Sequence, residues 1–382
     1  MPKVPLTPKK LATDLTSFFL QNGNFFAAGG PMSLQAAPAA TQRFIEEADG
    51  GFHGLAVQSV GYTVGDEERG EDPFDIDAED EDEDGEPEDR PGVHIYVARG
   101  SKSFLRSLPD EIHGIPCTVH NVGKLFVKPH LSATTTNRGN LYEHDDRVAC
   151  GSSCAPAGLM LAGTFGALVR KNAGGKLYAL SNNHVFADCN HTSVGQPILS
   201  PAGMDARAGL RAPSEICRHS EIVELRSGAP ALVAPCREDI AIAEVPDGDA
   251  VSSWQGDDED GYDTPTDTTD PATGLRVKKF GRTTGLTFGT MQSVQVRLSL
   301  PYQSQNFRAL VWFQDVWMIR SNDSDPFALG GDSGSLVVTE DGDKVVGILF
   351  ATSNKGAFGI VIPIDRVLAA FGGLSLVAGH GV

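Results

Sequence analysis

FALGGDSGSLVV, residues 327–338, sets one serine among three glycines just ahead of a run of strand-forming residues. A strand entry needs at most one glycine for its turn, yet Gly330, Gly331 and Gly334 all surround Ser333. Alone, the stretch reads better as turn chemistry, because Gly-Asp and Ser-Gly pairs are common turn punctuation. A serine hydroxyl is a useful nucleophile only beside a general base, and that base needs a third group to hold its tautomer and stabilise its charge. The search therefore turns to a histidine and an acid.

YALSNNHVFAD, residues 178–188, puts His184 at the end of a strand pattern, from which a side chain reaches across a cleft. REDIAIAEV, residues 237–245, puts Asp239 at the mouth of another strand pattern with Ile240, Ile242 and Val245 alternating. His184, Asp239 and Ser333 follow one another at separations of 55 and 94 residues. Hydrolases with a Ser…Asp…His order offer a second assignment, since Asp365 and His380 follow Ser333. That order needs Gly-x-Ser-x-Gly between a strand and a helix. Position 335 is serine and the segment after it reads as a strand.

With 382 residues and 40% hydrophobic content the chain has ample material for a core and reads as two or three domains. It contains no apolar run of 18 residues, and the start MPKVPLTPKKLATDLTSFFLQNG lacks a long apolar centre and a small-residue cleavage site. The expectation is a cytoplasmic protein with no membrane span. The net charge of −19 is local: residues 66–90 hold 16 acids and two arginines, and residues 257–270 hold seven acids and no base. Both runs read as solvated, mobile, solubilising insertions, and the nearly neutral remainder disfavours nucleic acid as a partner. The six cysteines, 117, 150, 154, 189, 217 and 236, read as free thiols in that setting. His144, Cys150 and Cys154 suggest zinc, but no further Cys/His pair closes a tetrahedron, so neither a metal nor a cofactor is expected.

Before residue 130, HGLAVQSVGYTV, GVHIYVA and GIPCTVHNVGKL read as strands, and SFLRSLPDEI as a helix with Phe104, Leu105 and Leu108 on one face. This is a small α/β domain over residues 34–130, carrying the first acidic run and preceded by an extension over residues 1–33. From residue 147 to 375 the pattern is glycine-punctuated strands, including AGTFGALVRK, KLYALS, DIAIAEV, GTMQSVQVRLSL, FQDVWMIR, KVVGILFAT and FGIVIPI. A hairpin turn falls at residues 172–175, and only DRVLAAFGG reads as a helix, capped by Asp365 and stopped by Gly372 and Gly373.

SNNHV, EDIAIA and GGDSGSLV together resemble the three motifs of trypsin-like, chymotrypsin-fold serine proteases, whose triad members come in the order His…Asp…Ser. The fuller wording LYALSNNHVFA, VKKFGRTTGLTFG and GDSGSLVV is similar to plant NARROW LEAF type trypsin-like proteins and their bacterial relatives. The resemblance implies a mainly β chain: a double β-barrel preceded by a small α/β domain, with the acidic loop 257–270 between the barrels. His184, Asp239 and Ser333 become the catalytic set, with the oxyanion hole at the amides of Gly331 and Ser333. Phe327, Asp325 and Ala351 become candidate pocket residues, and the strand VVGILFAT is expected to offer its edge to an extended substrate. The implied activity is a serine endopeptidase acting on protein or peptide, with homo-oligomers expected. A silent peptide-binding scaffold and an esterase with the same residues are the alternatives. Secreted trypsins pair the aspartate before the serine with a freed amino terminus. No such start is recognisable here, so Asp332 is satisfied by another group or the hole forms only on assembly or ligand binding.

Overall fold

The computed structural model describes residues 6–21, 56–63, 91–98, 108, 110–127, 141–172, 175–206, 211–228, 232–304 and 306–382. The acidic run 66–90 and the helix expected around Phe104 and Leu105 lie outside them. Leu11, Leu15, Phe18 and Phe19 recur at helical spacing on the helix Pro8–Gln21 and are buried. Their face lies on β1 (Val57–Tyr62) and β2 (Val93–Val97). β3 (Glu111–Ile112), β4 (Ile115–Asn121) and β5 (Leu125–Phe126) follow, with β2 and β4 parallel. β6 (Glu143–His144) and β7 (Arg147–Cys150) lead into the barrels.

The first barrel is built from β8 (Ser153–Pro156), β9 (Gly163–Thr164), β10 (Ala167–Lys171), β11 (Leu177–Ser181), β12 (Pro197–Ser200), β13 (Ser214–Ile222) and β14 (Ala241–Glu244). Hydrogen bonding runs β10-β11-β14-β13-β12-β8-β9, and β9 leads through Phe165 and Gly166 into β10, so the sheet curls back to where it starts. Phe165, Leu168, Ala179, Ile198, Ile216, Ala241 and Ala243 fill its interior. β12 and β13 were not legible in the sequence, because SEICRHSEI mixes polar with apolar residues.

β15 (Val251–Gln255) and β16 (Tyr262–Asp263) join β6 and β7 in a four-stranded sheet between the barrels. The acidic stretch 257–270, expected to be a mobile loop, is built into the fold. Asp263 accepts from the Ser253 hydroxyl and the Thr264 amide, and Val345 N donates to Asp267 O at 2.8 Å. Asp258, Glu259, Asp260, Asp267 and Asp270 are exposed, while Asp263 is turned to these internal partners.

The second barrel comprises β17 (Arg276–Gly281), β18 (Gly285–Gln303), β20 (Val316–Ser321), β21 (Leu336–Thr339), β22 (Val345–Ser353) and β23 (Phe358–Pro363), with β19 (Arg308–Phe313) beside β18. The order β17-β21-β22-β23-β20-β18 closes because β17 also pairs with β18. β18 is 19 residues long and runs past the barrel, where it takes β1 on residues 294–298 and β19 on 298–303. The N-terminal helix and strands therefore share one core with Val277, Trp317, Ile319 and Val337 of this barrel. β24 (Leu374–Leu376) returns to pair with β10. Asp365 lies in the first turn of the helix Ile364–Ala369, whose N-cap position is Pro363, so it does not cap as expected. The architecture is mainly β, a chymotrypsin-like double β-barrel.

Candidate active site

β11 ends at Ser181, and the chain turns through Asn182 into a one-turn helix, Asn183–Phe186. His184 thus sits on a short helix just past the strand rather than on the strand end. Asn182 Nδ2 donates to the carbonyl of Asp239 at 2.7 Å, which ties this turn to the approach to β14. The Asp239 carboxylate accepts from His184 twice, from the amide at 3.2 Å and from Nδ1 at 2.6 Å. A carboxylate oxygen accepts from a ring N–H, so the Nδ1 proton lies on the Asp239 side and Nε2 is the ring nitrogen left over. Nε2 is buried and has no hydrogen-bond partner among the described residues. His184 and Asp239 are both fully buried.

A third donor reaches this carboxylate from the other barrel. Tyr302, on the far end of β18, donates its hydroxyl to Asp239 Oδ2 at 2.7 Å, and its ring stands edge-on to the His184 imidazole at 5.8 Å. Burial, reinforced by the charge of Asp239, holds the phenol well above its ordinary pKa, so it remains a donor throughout the working pH range.

Ser333 lies in a turn whose backbone needs its glycines. Gly331 and Gly334 have φ of 100° and 101°, the left-handed region. A Cβ on Gly331 would meet Thr283 Oγ1 at 2.5 Å and Arg282 Nη1 at 2.7 Å. The turn is fastened to the first barrel: Thr164 N donates to Ser333 O at 2.8 Å and Thr164 Oγ1 to Gly331 O at 2.9 Å. Gly334 packs against Ser181, whose Oγ would lie 2.3 Å from an added Cβ, three residues ahead of His184. The Ser333 hydroxyl donates to Phe350 O at 3.2 Å. The amides of Gly331 and Ser333 donate to no backbone acceptor among the described residues.

Asp332 is fully buried and its partners are internal. Its carboxylate accepts from the amides of Thr283 at 2.7 Å, Thr284 at 3.1 Å and Leu329 at 2.8 Å, and from Thr284 Oγ1 at 2.9 Å. Lys279, also fully buried, donates to Thr284 Oγ1 at 2.7 Å, so a cation stands one hydroxyl away. Burial pulls the Lys279 pKa down and the charge of Asp332 opposes that shift. Beside this cluster, Arg282 of the second barrel grips Asp205 of the first, with Nε 2.8 Å from Oδ2. Both are buried, and a two-pronged guanidinium–carboxylate contact of this kind fixes orientation.

The pocket candidates separate. Phe327 is fully buried in the second barrel, with Lys279 Nζ 5.6 Å from its ring centre, and Ala351 is buried on β22. Asp325 is exposed in a turn where its carbonyl accepts from Ser321 Oγ. The alternative pair is far from the serine in its bonding: His380 contacts Gly248 O at 2.8 Å. His144 stacks on Trp254 and contacts Asp258 at 2.8 Å. All six cysteines are buried, unpaired thiols.

A first barrel carrying His184 and Asp239 and a closed six-stranded second barrel carrying Ser333 give the chain a chymotrypsin-like double β-barrel fold. It resembles the NARROW LEAF proteins in particular: it is 28% identical to Protein NARROW LEAF 1 of Oryza sativa subsp. japonica over 308 residues. That match covers 71% of this chain and 50% of the plant protein, so the chain spans about half the length of the curated relative it matches. No protein-family model matches. Among solved structures, Thermobifida fusca Protease A is 20% identical and Nocardiopsis Protease 17%, each with a TM-score of 0.41 over 60% of this chain and 100% and 97% of theirs.

Proposed function

We propose that the chain is a serine endopeptidase that hydrolyses peptide bonds of protein substrates through an acyl-enzyme. One observation carries the reading: Asp239 holds the His184 imidazole by Nδ1 and leaves a buried, unpartnered Nε2, while the Ser333 turn is tied to Thr164 and packed on Ser181. The Ser333 hydroxyl turns from Phe350 O to Nε2, His184 takes its proton, and Oγ bonds to the substrate's carbonyl carbon. The carbonyl oxygen, now negative, accepts from the two free amides of Gly331 and Ser333. His184 returns the proton to the leaving amine as the C–N bond breaks. Water then repeats the sequence to release the acid. Phe327 and Ala351 favour a small or apolar side chain on the acyl side, and Asp325 is exposed in its own turn.

A fluorophosphonate probe tests the reading. Wild type is expected to carry the adduct on Ser333, located by mass spectrometry, and Ser333→Ala to carry none. An unlabelled wild type, or equal labelling of Ser333→Ala, removes the enzyme and leaves a peptide-binding scaffold. Peptide libraries scored for cleaved bonds then separate a protease from an esterase.

A further inference from the structure

The hydroxyl of Ser333 donates to Phe350 O, so the reacting end of an acyl donor lies beside Phe350 on β22. A chain extending from that point on its acyl side meets Ala351, Thr352 and Ser353 next. One edge of this stretch belongs to β23, where Ala351 faces Ile360 and Thr352 faces Gly359. The opposite edge continues from the side on which β21 and the Ser333 turn pair. An extended substrate would add there through main-chain hydrogen bonds.

That edge is occupied by the chain's own β5. Phe126 lies opposite Thr352 and Leu125 opposite Ser353, antiparallel, and Asn354 N donates to Lys124 O at 2.9 Å. The other side of β5 is anchored: Leu125 N donates to Gln58 Oε1 at 3.0 Å and Val127 N to Pro301 O at 3.2 Å. Successive amides of a strand alternate in direction, so the N–H of Phe126 faces Thr352. Antiparallel pairing also sets the sense: from Leu125 to Val127 the chain advances toward Phe350 and Ser333, as the acyl half of a substrate would. Leu125 and Val127 are buried in the same core as Tyr302, so β5 is packed in place.

Resting on the serine-peptidase reading above, we infer that Leu125–Phe126 fills the acyl-side docking edge of β22 and sets what the enzyme accepts. Small acyl donors reach Ser333 directly, whereas an extended polypeptide must displace β5.

Full-length wild type, Phe126→Pro, and Phe126→Cys/Thr352→Cys are compared by fluorophosphonate labelling and by hydrolysis of fluorescein-labelled casein. Proline removes the amide that faces Thr352, and the ratio of casein cleavage to labelling is expected to rise about tenfold, the size of one or two main-chain hydrogen bonds. Opposed residues of an antiparallel pair lie within disulfide reach. The oxidised double variant is expected to lose casein cleavage and regain it with reductant, a result that stands even if Phe126→Pro fails to fold. Labelling present, with the ratio unchanged in Phe126→Pro and no response to reductant, overturns this inference alone. No labelling of wild type or Phe126→Pro removes the peptidase reading and this inference with it.

Discussion

Each barrel brings one buried aspartate to the site, and the two are held in opposite ways. Asp239 accepts from a histidine amide, an imidazole and a phenol, two of them side chains on separate elements. Asp332 accepts from three backbone amides and one threonine hydroxyl. Backbone amides neither titrate nor change rotamer, so Asp332 fixes a shape. In the proposed mechanism the partners of Asp239 include the group that gains and loses a proton, so Asp239 would stabilise a charge that comes and goes. On that reading the site divides its labour between a responsive first aspartate and a static second one.

The sharpest way to break this contrast is to remove charge from each aspartate in turn. Asp239→Asn keeps the shape but lets the amide oppose the imidazole tautomer, and fluorophosphonate reactivity is expected to fall by about 10⁴ with little change in melting temperature. Asp332→Asn replaces an oxygen that accepts amides with a group that donates, which lets the turn carrying the Gly331 and Ser333 amides relax. Reactivity is expected to fall by about 10²–10³, the size of one lost oxyanion donor, and here the melting temperature drops too. Equal melting temperatures for the two variants would erase the distinction.

The three residues of the candidate catalytic set were legible. His184, Asp239 and Ser333 come in an order that few folds share, and each sits against a strand pattern that periodicity exposes. The holders were not. Tyr302 lies 63 residues from Asp239 within LSLPYQSQ, a stretch with no signal of its own, and Arg282 lies 77 residues from Asp205. A long-range side-chain pair leaves no mark on local periodicity. The GRTT wording at 281–284 was visible, but only coordinates connect its amides to Asp332. The edge of β22 read as open because sequence shows a strand's residues and not its neighbours, and β5 is two residues long. The N-terminal helix had its signal in Leu11, Leu15, Phe18 and Phe19, hidden by a segment judged only for targeting.

Tyr302→Phe sharpens the contrast at smaller scale. The ring remains to pack on Phe313, 6.0 Å away, and only the hydroxyl on Asp239 is lost. One hydrogen bond to a charged acceptor is removed from a residue still held by His184, so reactivity is expected to fall about tenfold, measured as the second-order labelling rate. A fall as large as that of Asp239→Asn would make the phenol as important as the charge itself.

The smallest effect concerns stability and lies away from both aspartates. His94 on β2 and His120 on β4 share a hydrogen bond of 2.8 Å and stack with Tyr96, whose hydroxyl meets Ser293 of β18 at 2.7 Å. Burial lowers His94 to about 4 and His120 to about 3, the latter also through His94 and Arg320. An unfolded histidine titrates near 6.5, so between that pH and about 4 the unfolded chain binds protons that the folded chain refuses. The stability is therefore complete above pH ~6.5 and falls as the solution is acidified, by roughly 1–2 kcal/mol per imidazole at pH ~5. Melting curves of wild type are expected to shift down between pH ~7 and ~5 by more than those of His94→Gln/His120→Gln. Because this pair stands where the N-terminal strands meet β18, acid is expected to loosen that junction. Identical slopes for the two proteins would place the acid sensitivity elsewhere.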